Sequence, residues 1–168
     1  MHDKKNATCC FTGHRVIRSD YSAIVAARTE IYIRELILEH GVRFFGVGGA
    51  LGFDTLAANI LFRLRDTEFP QIRVILVYPF EGYTSRWSTA QQAIYEQMLQ
   101  KYDKRVCVAQ NGSREAYLAR NRHLVDSSAF CICFLMHSTG GTAYTVKYAK
   151  HKGLNVINIL SEETTRNG

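Results

Sequence analysis

Two glycine-rich stretches carry the residue types best suited to holding an anion. Residues 42–59, VRFFGVGGALGFDTLAAN, place Gly46, Gly48, Gly49 and Gly52 behind an apolar run and set Asp54 at the start of a helix-forming segment. Glycines there leave successive backbone N–H groups uncovered, and a following helix adds the positive end of its dipole. The second stretch, Ser138, Thr139, Gly140, Gly141 and Thr142, repeats the arrangement before another helix-forming segment. Two such loops are more specific than one, because together they would aim two helix N-termini at one cleft. The first is G-x-G-G-x-x-G rather than the glycine spacing of the dinucleotide fingerprint, and no Gly-Lys-Ser/Thr of a phosphate-binding P-loop follows. Asp54 reads first as an N-cap for TLAANILFRLR and second as a group that could hold a ribose or base.

Three further segments add polar candidates. FTGHR supplies Thr12, Gly13, His14 and Arg15, which permit close backbone approach and can neutralise an anion. YPFEGYTSRWS offers Glu81 for ribose hydroxyls and aromatic residues for stacking, although Trp87 reads better as an anchor for the next helix. Arg120, Asn121 and Arg122 are consecutive on a helix, so at most two can face one site. The candidate ligand-binding set is Thr12, Gly13, His14, Arg15, Gly48, Gly49, Gly52, Asp54, Glu81, Arg120, Asn121, Ser138, Gly140, Gly141 and Thr142. Asp54, Glu81 and Arg120 are the candidates for any catalysis.

These loops need a scaffold, and the apolar pattern supplies one. Short near-continuous apolar runs occur at 7–12, 42–47, 72–78, 105–109, 130–136 and 155–160, separated by helical periodicity at 21–40, 56–65, 87–102, 115–125 and 143–152. Strands apolar on both faces, alternating with helices, predict an α/β fold: one Rossmann-like three-layer domain over residues 1–168, with a mostly parallel sheet of about six strands and helices on both faces. In such a sheet ligands bind beyond the carboxyl ends of the strands, where all the candidate loops fall. The first helix is expected to bury Ile24, Ala27, Ile31, Glu35 and Leu38, and the tail 161–168 is expected to fray.

The 168 residues suffice for a core without staples, and 46% apolar with 21% charged residues is a globular composition. There is no membrane-length apolar run and no signal-peptide pattern, so a cytoplasmic, membrane-free protein is expected. The five cysteines lie in strand-like runs without zinc-site spacing; buried free thiols are expected, with no metal and no cofactor. The net charge of +6 suits an anionic partner, and the positive residues are dispersed rather than clustered. Self-association into a homo-oligomer is compatible with all of this.

Taken together, CCFTGHR, GVGGALGFDTLAA, VYPFEG, RNRHLVDSS and GGTAYTVKYAKHKGLNVINI resemble the YpsA/YoqJ-like family, over about residues 7–160 and in the expected order. That family belongs to the SLOG superfamily, named for the DNA-processing protein DprA and the cytokinin-activating LOG enzymes. The resemblance implies a Rossmann-like fold and a nucleotide or nucleotide-derived ligand at the strand ends. GGALGFDTLAA is also similar to the glycine motif of DprA proteins, which bind single-stranded DNA. GGTAYT stands where LOG enzymes carry P-G-G-x-G-T-x-x-E, whose glutamate works with an arginine to cleave an N-glycosidic bond. Aligning Gly141 and Thr142 with that Gly-Thr puts Thr145 at the glutamate, the proline is missing, and Arg120 matches the arginine approximately. Ala129 stands where relatives commonly carry Asp. Three readings follow in order: a binding protein for a small nucleotide-like anion, a nucleoside-monophosphate N-glycosidase using Asp54 or Glu81, and a binder of single-stranded nucleic acid.

Overall fold

A computed structural model describes residues 3–161. After a short 3-10 turn, Lys4–Ala7, the chain alternates strictly: β1 Thr8–Gly13, α1 Ser22–His40, β2 Phe44–Val47, α2 Phe53–Thr67, β3 Arg73–Tyr78, α3 Thr89–Leu99, β4 Lys104–Cys107, α4 Arg114–Asp126, β5 Phe130–Phe134, α5 Gly141–His151 and β6 Asn155–Asn158. The expected tail lies outside the described residues from 162 onward. The six strands form one parallel sheet in the order β4-β3-β2-β1-β5-β6, which is the Rossmann-like α/β architecture expected from the alternation. No helix among the described residues is long and apolar enough to cross a membrane.

The topology decides where a ligand can sit. From β1 the chain steps outward through β2 and β3 to β4, then returns across the sheet to place β5 on the other side of β1. Helices α1, α2 and α3 cover one face: Val25, Ile33, Leu36, Leu61 and Met98 join Phe11 and Phe45 in one core cluster. Helices α4 and α5 cover the other, where Leu124, Val125, Val146 and Ala149 pack with Cys10, Cys131 and Cys133. The helices diverge where the winding reverses, so a crevice opens beyond the carboxyl ends of β1, β2 and β5.

Two expectations need correction. The first helix turns Val25, Thr29, Ile33, Leu36 and Ile37 inward, not the face of Ile24, Ala27, Ile31 and Leu38; Ile31 is 60% and Leu38 69% exposed. Both faces of α1 carry β-branched or leucine residues, and a 3.6-residue period alone does not say which one meets the sheet. Among the cysteines, Cys9, Cys10, Cys131 and Cys133 are buried, whereas Cys107 is exposed because β4 is the sheet edge. Burial pushes the Cys133 thiol up to about 12, a poor nucleophile at neutral pH.

Candidate ligand-binding cleft

The crevice is a cavity of about 320 Å³. Its walls come from the ends of three strands: Thr12 and Gly13 at the end of β1 with His14 and Arg15 beyond it, Gly48, Ala50 and Asp54 after β2, and His137, Thr139, Gly140, Gly141 and Thr142 after β5. Arg120 and Asn121 of α4 close the remaining side. Arg120 belongs to the stripe Ala116, Arg120, Leu124, at i, i+4 and i+8 on the sheet-facing side of α4. That register explains why a guanidinium is only 5% exposed. Its neighbour Arg122 turns outward to pair with Glu115.

The first glycine loop is clamped rather than open. Arg120 donates from Nη1 to the Gly48 carbonyl and from Nε to Asn121 Oδ1 at 2.7 Å, and Tyr83 donates to the Gly49 carbonyl at 2.8 Å. A Cβ on Gly48 would lie 3.0 Å from both Arg120 Nη1 and Asp54 Oδ2, so this glycine is what lets the two side chains converge. Gly52 is the N-cap of α2 with φ +77, and a Cβ there would stand 2.3 Å from the Arg15 carbonyl oxygen. Asp54 is therefore not the cap. It sits inside the first turn and folds back, so that its Oδ2 accepts the Ala50 N–H at 3.1 Å. The protein's own carboxylate thus occupies the anion-binding side of the first loop.

Asp54 is 7% exposed, and its Oδ1 is buried with no hydrogen-bond partner among the described residues. Burial raises its pKa, opposed by the Arg120 charge, the Ala50 amide and Arg15. The same burial lowers the pKa of Arg120, opposed by Asp54. The guanidinium groups of Arg15 and Arg120 each lie 5.7 Å from the Tyr117 ring centre.

The second loop is open. Gly140 caps α5 with φ +100 and no side-chain cap bond, and the first intrahelical bond runs from Tyr144 N–H to Gly140 at 3.0 Å. The amides of Gly141, Thr142 and Ala143 lie ahead of that ladder at the positive end of the helix dipole. Thr145, where the LOG alignment expects glutamate, is 2% exposed and donates to the Gly141 carbonyl at 3.0 Å, so its hydroxyl is engaged within its own helix.

Some candidates fall elsewhere. Gly49 and Gly52 face a neighbouring groove lined by Leu56, Trp87, Ile94 and Met98. Glu81 accepts from the Tyr78 hydroxyl and lines a separate cavity with Tyr95 and Arg105, because β3 lies one strand beyond β2 and its loop opens toward α3. Ser138 is exposed and outside the cleft lining. Trp87 packs at 5.6 and 5.7 Å from the Tyr83 and Tyr95 ring centres, an anchor at the start of α3. Ala129 lies at the amino end of β5, opposite the cleft. Sequence reasoning missed His137 and Tyr117; the first adjoins the second glycine loop, and the second lies three residues before Arg120 on α4.

His14 ties the loop after β1 to the segment after β5. Its Nε2 accepts the Met136 N–H at 2.8 Å, and its ring lies 5.1 Å from His137. That acceptor role requires an unprotonated Nε2. Burial, then the neighbouring His137, lower its pKa below 6.5. An unfolded chain takes up the proton first, so the stabilisation is complete above about pH 6.5 and is lost as pH falls toward the folded value. The Tm of the protein is expected to fall between pH 7 and 5 more steeply than that of His14→Gln, whose amide oxygen accepts the same bond without titrating. Parallel pH profiles would contradict this assignment.

The sequence profile of the YpsA family, described as the YspA SLOG family, matches residues 21–159. The chain belongs to that family. Among its relatives are a UPF0398 protein of Bacillus cereus, 23% identical over 82% of this chain and 77% of that protein, and the prophage-derived protein YoqJ of Bacillus subtilis, 28% identical over 70% and 75%. A UPF0398 protein of Shouchella clausii is 33% identical, but over 43% of this chain and 38% of its own length. Among solved structures, DNA processing protein A of Streptococcus pneumoniae superposes with a TM-score of 0.63 at 17% identity, covering 91% of this chain and 50% of that one. The Helicobacter pylori protein of the same name, studied for its single-stranded DNA binding mode, gives 0.61 at 14%, covering 90% and 64%. The chain thus spans about half to two thirds of these DprA proteins, and at such identities the likeness concerns the fold.

Proposed function

We propose that this YpsA-family protein binds a nucleotide or nucleotide-derived phosphorylated ligand in the cleft at the carboxyl ends of β1, β2 and β5. The observation that carries the reading is the uncapped N-terminus of α5 opening onto the same cavity as Arg15 and Arg120. A phosphate there would take the amides of Gly141 and Thr142, with the arginines balancing its charge. The Gly48–Ala50 side, already holding the Asp54 carboxylate, serves another part of the ligand. Thr145 offers no acid at the place LOG enzymes use for catalysis, which favours binding over glycosidic cleavage. Single-stranded DNA binding, known for the H. pylori neighbour, finds less support in the dispersed positive residues.

A panel of ribonucleoside mono-, di- and triphosphates, cyclic nucleotides and short oligonucleotides, read by thermal shift and calorimetry, tests the reading. At least one mononucleotide is expected to raise the Tm. Silence across all of them, or an affinity seen only for oligomers and falling steeply with salt, would sink it.

A further inference from the structure

The cleft continues past Asp54. Arg15, Ala50 and Arg120 line both the main cavity and a niche of about 20 Å³ beside it, whose other walls are Leu51, Tyr83, Trp87 and Tyr117; it has room for about a water molecule and not for a nucleobase. The site therefore combines open helix amides with the buried Asp54 carboxylate, which is bonded at Ala50. Asp54 combines 7% exposure with an Oδ1 that receives no donor among the described residues. Leaving a buried carboxylate oxygen unpaired is costly, and a bound group that donates to it recovers that cost.

The charges around Asp54 restrict what that group can be. Arg15 and Arg120 both act on this carboxylate, so a metal cation there would be repelled by two guanidinium groups, whereas a neutral hydroxyl would not. A second anion is disfavoured by the carboxylate itself. Resting on the nucleotide reading above, we propose that Asp54 accepts a hydrogen bond from a ribose hydroxyl. The ligand would be a ribonucleoside 5′-phosphate with its phosphate on the α5 amides and its sugar at Asp54. Asp54 would then be the residue that distinguishes ribose from its deoxy counterparts.

The test is calorimetry with AMP, GMP, CMP and UMP, their 2′-deoxy and 2′,3′-dideoxy counterparts, and inorganic phosphate as competitor. Losing the hydroxyl partner of a buried carboxylate is expected to weaken the best-bound nucleotide at least about tenfold in its dideoxy form. In Asp54→Asn that ratio should shrink below about threefold, because a neutral amide pairs more weakly with the hydroxyl, while phosphate still competes. Each variant is compared at a temperature where its own melting curve shows it folded, so lost discrimination cannot be ascribed to unfolding. Equal affinities for ribo and dideoxy forms in the parent protein, or an unchanged ratio in Asp54→Asn, would overturn the assignment while leaving nucleotide binding intact. No binding of any nucleotide would instead remove the broader reading, and this one with it.

Discussion

Gly141→Asp is expected to abolish nucleotide binding while leaving the fold intact. Gly141 is the first residue of α5, and a Cβ built there meets no atom within 4 Å. Its φ lies outside the left-handed range, so an L-residue fits without strain. A carboxylate in the first turn interacts favourably with the helix dipole, typically by about 0.3–1 kcal/mol. The same carboxylate takes the place and the charge that the ligand phosphate requires. The affinity for the best mononucleotide should fall by about 100-fold or more, the order expected when an attractive site becomes a repulsive one. The Tm should stay level or rise by about 1–3 °C. A fall in Tm with binding retained would mean that the loop serves the fold and not a ligand.

The largest stability effect is expected at Arg120→Met. This guanidinium holds the Gly48 carbonyl, is bonded to Asn121, lies beside the Tyr117 ring and is the strongest charge opposing the burial of Asp54. Methionine fills much of the space, yet leaves the Gly48 carbonyl without its donor and the Asp54 carboxylate without its counter-charge. Breaking a buried charge arrangement from one side costs about 3–5 kcal/mol, which for a chain of this size corresponds to a Tm drop of about 10 °C. Asp54→Asn alone should cost less, since it removes a buried carboxylate whose Oδ1 has no partner among the described residues, while Arg120 keeps its bonds to Gly48 and Asn121. The double variant Arg120→Met with Asp54→Asn should be more stable than the sum of the two single effects predicts by at least about 1 kcal/mol, a coupling that additive effects cannot produce. Strict additivity in the cycle would separate the two residues and remove the electrostatic reason for their convergence at Gly48. The arrangement has the character of a site kept at some cost to stability.

Much of this organisation was legible in the sequence because it depends on local signals. The alternation of short apolar runs with helical periods leads to the parallel sheet, and glycine clusters followed by helix formers mark the strand-end loops. What escaped depends on contacts between distant segments. The fold-back of Asp54 onto the Ala50 amide follows from Gly52 capping α2, and the close approach of the Arg15 carbonyl makes that glycine necessary. Glu81 sits after a strand-end like the others, and only the strand order places it toward α3 and away from Asp54. The outward face of α1 and the exposure of Cys107 have the same origin: periodicity shows that a face is apolar, and topology decides whether another layer covers it. Thr145 is the converse case, where a residue singled out by alignment alone turns out to spend its hydroxyl on its own helix.

The central claim, that the cleft between the β2 and β5 loops is built for a phosphorylated nucleotide, is tested most directly by a crystal structure of the protein grown with the tightest-binding mononucleotide of the panel. The account predicts the phosphate within hydrogen-bonding distance of the Gly141 and Thr142 amides, with Arg15 or Arg120 alongside. A nucleotide bound instead in the groove of Leu56, Trp87 and Ile94, or with its phosphate away from the α5 N-terminus, would contradict it.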